Sequence, residues 1–134
     1  MILVDTSVWI PYLRGSSSAR AELLHRLLAE GVPVALTSVI VMELLQGVAS
    51  EATAEKLAEY LSTQRRIESH DPWSTALAAA RMYAACRAAG YTIRSTLDCW
   101  IARTAVEHDH MLLHDDRDFD HLAAVVPELR IYQG

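Results

Sequence analysis

Only two cysteines, Cys86 and Cys99, occur in the 134 residues, and neither belongs to a CxxC pair or to a Cys/His spacing that fits zinc. A disulfide framework and a cysteine-held zinc site are thereby excluded, and both thiols are expected as small buried residues of a reducing compartment. Lysine is scarcer still, with Lys56 alone. No apolar run approaches the ~18 residues of a membrane span, and Asp5 interrupts the N-terminal run too early for a secretory leader. The expected setting is the cytoplasm, without a membrane partner. Neither GxGxxG nor GxxxxGK followed by Ser or Thr is present, which removes the dinucleotide fingerprint and the P-loop. Long polar, Gly/Ser-rich or Pro-rich tracts and internal repeats are missing too, so disorder and linkers find no support.

What is present is a chain of one-domain length, 1–134, with 51 % hydrophobic residues. That length buries roughly two-thirds of the unfolded surface around one core. The net charge of −5 argues at first against a nucleic-acid partner. The basic residues, however, are eleven arginines beside the one lysine, and arginine's planar fork is the better phosphate ligand. Cations held by a group of acids would also make the working surface more positive than the global count.

Ile2, Leu3 and Val4 form an unbroken apolar run, as a strand buried on both faces does. Asp5 ends it. Thr6 and Ser7 then offer N-cap hydroxyls to a helix carrying Val8, Trp9, Ile10 and Leu13, with Pro11 expected in its first turn. Leu23, Leu24, Leu27 and Leu28 mark a second helix that Gly31 stops. Pro33 to Leu36 reads as a strand, after which Thr37 or Ser38 caps a helix containing Val39 to Leu45. Further elements are expected as a polar helix from Glu51 to about Arg66, a brief strand over Ile67 to Ser69, and helices from Asp71-Pro72 to about Ala89 and from Ser95 to about His108. Met111 to Leu113 repeats the pattern of the opening strand. Asp115, Asp116, Asp118 and Asp120 follow it, then a short helix and a closing strand over Leu129 to Tyr132. Strands alternating with helices imply an α/β fold around a mostly parallel sheet.

Asp5 and the Asp115/Asp116 pair each follow a short apolar strand, so a parallel sheet projects both from one edge, where open α/β sheets bind ligands. Each acid also has a plainer use: Asp5 as a helix cap, Glu43 as a helix-surface glutamate, Asp98 as the far half of a Ser95-x-x-Asp98 capping box. Carboxylates without adjacent lysines suit hard divalent cations, which take oxygen ligands and keep waters for a substrate phosphate. Such ions activate a water and steady the leaving oxygen of a phosphodiester. Rival schemes fit less well. Asp116-Arg-Asp118-Phe-Asp120 begins like a calcium loop, but His121 replaces its glycine and Pro127 its closing glutamate. A phosphate-accepting receiver wants a lysine beside its acids, whereas Lys56 falls in a polar helix. His108, His110, His114 and His121 are spaced as solvated or capping residues rather than as zinc ligands.

Four stretches together span nearly the whole chain: Ile2-Leu-Val-Asp-Thr-Ser-Val-Trp9, Met42-Glu-Leu-Leu-Gln-Gly47, Ile93-Arg-Ser-Thr-Leu-Asp-Cys-Trp-Ile-Ala102 and Leu112-Leu-His-Asp-Asp-Arg-Asp-Phe119. In order and spacing the sequence resembles the PIN-domain ribonucleases and, within them, the VapC toxins of bacterial toxin–antitoxin pairs. The resemblance implies a PIN-like α/β fold, with a central parallel sheet of about five short strands flanked by helices, and a metal-dependent endoribonuclease. It further implies that Asp5, Glu43, Asp98 and Asp116 gather Mg2+ or Mn2+, with Asp118 as an auxiliary and Thr6 as the small polar neighbour lining the site. His114 departs from the Thr or Ser more usual before this acidic turn. A homodimer, an RNA substrate such as tRNA, and a VapB-type antitoxin whose C-terminal segment reaches the acids are implied as well. Met42, Leu45, Val48, Leu57, Tyr60 and Leu61 are more apolar than two helices need and form a candidate antitoxin groove, with ordinary core as the other reading. A non-catalytic PIN-like interaction module is the alternative from another class.

Crowding has an energetic consequence. Two unit charges ~4 Å apart repel by roughly 4 kcal/mol at an effective dielectric near 20, so carboxylates gathered for a metal are strained without it. On the sequence alone, Asp116→Asn is expected to raise the melting temperature in EDTA and to abolish the response to Mn2+.

Overall fold

The computed structural model describes residues 1–134. Strands β1 (Ile2–Val4), β2 (Val34–Leu36), β3 (Arg65–Arg66) and β4 (Met111–Leu113) form one sheet in the order β3-β2-β1-β4, every neighbouring pair parallel. Parallel neighbours cannot be joined by tight turns, and here each connection along the chain uses two helices. Helices α1 (Thr6–Leu13) and α2 (Ala19–Ala29) link β1 to β2, and α3 (Ser38–Gln46) and α4 (Glu51–Leu61) link β2 to β3. Helices α5 (Pro72–Ala88) and α6 (Thr96–Glu107) lead to β4, and α7 (Arg117–Val125) follows it. No helix is long and apolar enough to cross a membrane.

All seven helices begin on a side-chain cap: Asp5, Ser18, Thr37, Ser50, Asp71, Ser95 and Asp116 each accept a backbone N–H from the first turn. Such a cap contributes about 1 kcal/mol. The first of them decides between two readings of the sequence, because Asp5 and not Thr6 or Ser7 caps α1. The helix therefore starts earlier and Pro11 falls in its second turn. It tolerates the missing N–H by ending soon after, at Leu13, where Gly15 at φ 72° and the Ser16 N–H to Pro11 carbonyl bond (2.9 Å) turn the chain.

Two strand expectations also shift. Helix α4 stops at Leu61 because the Ser62 and Thr63 hydroxyls donate back to the carbonyls of Glu59 and Tyr60, each at 2.6 Å. The freed chain pairs as β3 over Arg65–Arg66, ahead of the Ile67 to Ser69 segment, with two exposed arginines on the sheet edge. That arrangement discourages another strand from adding to the edge. At the other edge, Leu129 to Tyr132 makes only an isolated bridge, Leu112 with Ile131, so the sheet has four strands rather than about five. Leu129 instead turns into the core.

Trp9, Phe119, Leu3 and Leu24 are among the largest fully buried side chains, and they join sheet and helices into one cluster with Leu36, Ile101 and Leu113. Leu77 on α5 is 45 % exposed by contrast. Leu24→Ala should cost about 2–5 kcal/mol through lost burial and a cavity, whereas Leu77→Ala should stay within about 0.5 kcal/mol of wild type. Urea unfolding followed by circular dichroism gives both values.

Candidate metal centre

The β1–β4 pairing decides where the acids meet. Val4 lies opposite Leu113, and the ladder continues one residue further through the Asp5 N–H to Leu113 carbonyl bond of 2.9 Å. The residues just beyond both strands are thus held side by side. Ser7 connects them: its hydroxyl donates to Asp5 Oδ2 at 2.6 Å and accepts the Asp115 N–H at 2.9 Å. Asp5 is 4 % exposed, and its Oδ1 is buried with no hydrogen-bond partner.

One carboxylate oxygen each of Asp98, Asp116 and Asp118 lie within 4.8 Å of one another. Asp98 comes from the first turn of α6, Asp116 caps α7, and Asp118 lies in the first turn of α7. Helix N-termini favour negative charge, through their free N–H groups and the helix dipole. Asp118, expected as an auxiliary, is one of the three acids of this triplet. Asp5 and Glu43 fall outside it but still act on it, since both charges help to raise the pKa of Asp98. Glu43 reaches this neighbourhood from α3, where the Thr6 hydroxyl donates to its Oε1 at 2.8 Å. Asp115 and Asp120 are exposed.

Burial and repulsion fall unequally on these acids. Asp98 is 8 % exposed and its carboxylate makes no hydrogen bond; burial first, then the charges of Asp5, Asp116, Glu43 and Asp118, push its pKa to about 7. The capping-box use of Asp98 is not realised, because Ser95 Oγ takes the Leu97 N–H and nothing returns from the carboxylate. Burial raises Asp5 against the opposing bonds from Ser7, and raises Glu43 against the bond from Thr6. For Asp118 burial acts upward as well, but the backbone N–H and guanidinium of Arg94 reverse it and the pKa is lowered. Arg94 also donates to Asp116 Oδ1 at 2.7 Å. Because Asp116 is paired with Arg94, its replacement by Asn keeps an oxygen for the α7 cap but removes the charge that the guanidinium offsets, so no repulsion is relieved there. The expectation of stabilisation on Asp116→Asn is accordingly moved to Asp98.

Three supporting residues hold the acids: Ser7, which the sequence offered only as a cap of α1, His114, which it marked only as a departure from Thr or Ser, and Arg94, which it did not mark. The buried His114 ring accepts the Asp116 N–H on Nδ1 at 3.1 Å, which leaves the proton on Nε2 to donate to Asp120 at 3.1 Å. The imidazole thus braces the acidic turn, and packs on Phe119 with ring centroids 5.2 Å apart. The Asp5-x-Ser7 spacing of an Asx turn was the available signal for Ser7; no local pattern marks Arg94. An oxygen-only donor set with an orphaned buried oxygen, on Asp5, fits a hard divalent cation such as Mg2+ or Mn2+.

A groove of about 810 Å3 opens beside the acids, among α1, α3 and α4. Ile10, Tyr12, Leu13, Leu44, Val48, Leu57 and Tyr60 give its apolar lining, with Arg14, His25 and Lys56 as basic groups and Glu43 as its one acid. Burial and the Tyr12 hydroxyl push the Tyr60 phenol up to about 12, so it stays neutral. Of the residues expected here, Val48, Leu57 and Tyr60 line the groove. Met42 and Leu45 do not, since they occupy other faces of α3, and Leu61 is 2 % exposed in the core.

A parallel sheet with acids gathered at the ends of adjacent strands is an α/β ligand-binding edge. The PIN domain family matches residues 2–125, and the chain belongs to that family. Ribonuclease VapC11 of Mycobacterium tuberculosis is 37 % identical over 126 residues, 93 % of each chain, and VapC ribonuclease Mb1587 of Mycobacterium bovis is equally similar. Among solved structures, VapBC-1 from nontypeable Haemophilus influenzae aligns with a TM-score of 0.75 at 16 % identity, covering 99 % of this chain and 98 % of that one. VapBC2 from Rickettsia felis, bound to a DNA fragment from their promoter, aligns with 0.73 at 18 % identity over 98 % of each chain. These two likenesses concern the fold.

Asp98 gives the pH dependence its sign. A carboxylate raised from 3.8 to about 7 contributes stability that is full below the lower value and is lost as pH rises through the upper one. In EDTA the protein should therefore melt higher near about pH 5.5 than near about pH 8. Asp98→Asn should flatten that trend and melt above wild type at the higher pH, which paired thermal scans in the two buffers measure.

Proposed function

We propose that the protein is the toxin of a type II toxin–antitoxin pair, a divalent-metal-dependent endoribonuclease that inhibits translation and growth by cutting tRNA or another structured RNA. The convergence of Asp98, Asp116 and Asp118 beside a buried, partly unpaired Asp5 carries this reading. The ribonuclease names of its 37 % identical relatives support it. Asp98, Asp116 and Asp118 would hold the ion, with Asp5 and Glu43 completing the acidic set. A bound Mg2+ or Mn2+ would supply Lewis-acid chemistry for a water and the phosphate oxygens, and the expected products carry 5′-phosphate and 3′-hydroxyl ends. The chain's own part is orientation: Ser7 fixes one oxygen of Asp5, and Thr6 holds Glu43 by Oε1, leaving Oε2 unpaired to accept a proton from water.

The partner is a VapB-type antitoxin, as the VapBC names of the structural relatives suggest. An apolar C-terminal segment with acidic flanks would match the lining of the groove and its Arg14 and Lys56, and would reach the acids at Glu43. A homodimer would find an apolar surface to cover at the start of α5, where Trp73 is 74 % exposed.

RNA cleavage should require Mg2+ or Mn2+ and stop in EDTA. Asp5→Asn, Glu43→Gln, Asp98→Asn, Asp116→Asn and Asp118→Asn should each lower kcat by about a hundredfold or more, with little further loss in pairs because the acids act as a unit. Cleavage unaffected by EDTA and by these substitutions would leave the interaction-module reading instead. In the groove, Leu57→Asp should weaken antitoxin binding about tenfold or more while RNA cleavage persists. Hydrogen exchange on the complex should show protection at Val48, Leu57 and Tyr60.

A further inference from the structure

The acidic cluster already contains a cation. Arg94 lies between α5 and α6; its Nη2 donates to Asp116 Oδ1 at 2.7 Å and its Nε to Asp118 Oδ2 at 3.1 Å, so one guanidinium spans two members of the triplet. The side chain is 62 % exposed. It is held by its charged head and not by packing along its stem, which makes release of the head a local motion. The acids keep their places without it. Asp118 is 2 % exposed and its Oδ2 also accepts the Arg94 backbone N–H at 3.1 Å, while Asp116 Oδ1 also accepts the Asp118 N–H at 3.0 Å. Backbone donors thus set the geometry, and the guanidinium adds charge.

We infer that Arg94 is a resident counter-ion that a divalent cation displaces: it neutralises Asp116 and Asp118 in the metal-free protein and releases at least one of them when the metal enters. The inference rests on the reading of the triplet as a metal centre. Its logic is competition for the same oxygens, together with repulsion between the guanidinium and a doubly charged ion a few ångströms away. Where binding requires a minor state, here the one with Arg94 swung out, the apparent dissociation constant is the intrinsic one divided by that state's population. Arg94 therefore sets the metal concentration at which the site fills, and it offsets the repulsion between Asp116 and Asp118 while the site is empty.

The test is calorimetric titration with MnCl2, together with thermal melts in EDTA and in saturating Mn2+; none of these reads RNA cleavage. Arg94→Gln and Arg94→Met remove the charge but keep the backbone N–H that anchors Asp118. Both should bind Mn2+ about tenfold or more tighter than wild type and melt lower in EDTA, and the deficit should close in Mn2+. Arg94→Lys, which retains the charge, should bind within about threefold of wild type. Equal or weaker Mn2+ binding by both neutral variants overturns the inference and makes Arg94 a static brace, with the metal centre standing. Absence of Mn2+ binding by every protein, wild type included, overturns the metal centre and the inference with it.

Discussion

Carboxylates held at the ends of adjacent parallel strands repel one another, and much of the local structure around them offsets that repulsion. Three helices begin there: Asp5 and Asp116 cap α1 and α7, and Asp98 and Asp118 lie in the first turns of α6 and α7. Each N-terminus brings unpaired N–H groups and the positive end of its dipole to the acids. Hydroxyls and one guanidinium complete the compensation, with Ser7 on Asp5, Thr6 on Glu43 and Arg94 on Asp116 and Asp118. Asp98 alone has no such partner, and burial first, then the neighbouring charges, push its pKa to about 7. A divalent cation bound as proposed would offset this remaining repulsion.

Capping and metal binding are not rival uses of these acids. A carboxylate has two oxygens, and Asp5 gives Oδ2 to the first turn of α1 while Oδ1 stays unpaired. The cap fixes the carboxylate's orientation, and fixed orientation is what a ligand set requires. The groove adds a second connection. Glu43 belongs both to the acidic neighbourhood and to the lining between α1, α3 and α4, so a chain occupying the groove lies within reach of the acids.

The elements could be read from local pattern because their signals are local. The buried runs Ile2–Val4 and Met111–Leu113, the Asp71-Pro72 start of α5 and the Gly31 and Gly90 stops each depend on residues within a turn or two. Where the signal was weak the structure differed, with two residues of β3 on an edge and one bridge in place of a closing strand, and it chose Asp5 among the candidate caps of α1. In the candidate groove, Val48, Leu57 and Tyr60 could be told from Leu61 only once α4 had an inside and an outside.

By itself the sequence determined an α/β chain with acids placed directly after apolar strands, and its four motif stretches were enough to resemble a family. Only the tertiary structure decided which acids meet and what each one feels. Asp98 and Asp118 are twenty residues apart in sequence order, and their approach depends on the docking of α6 beside α7, a relation no local pattern encodes. The pairing of Arg94 with Asp116 and Asp118, the unpaired Oδ1 of Asp5 and the bracing of the acidic turn by His114 are of the same kind. Each depends on burial and on distances between segments far apart in the chain, and those are properties of the packed fold.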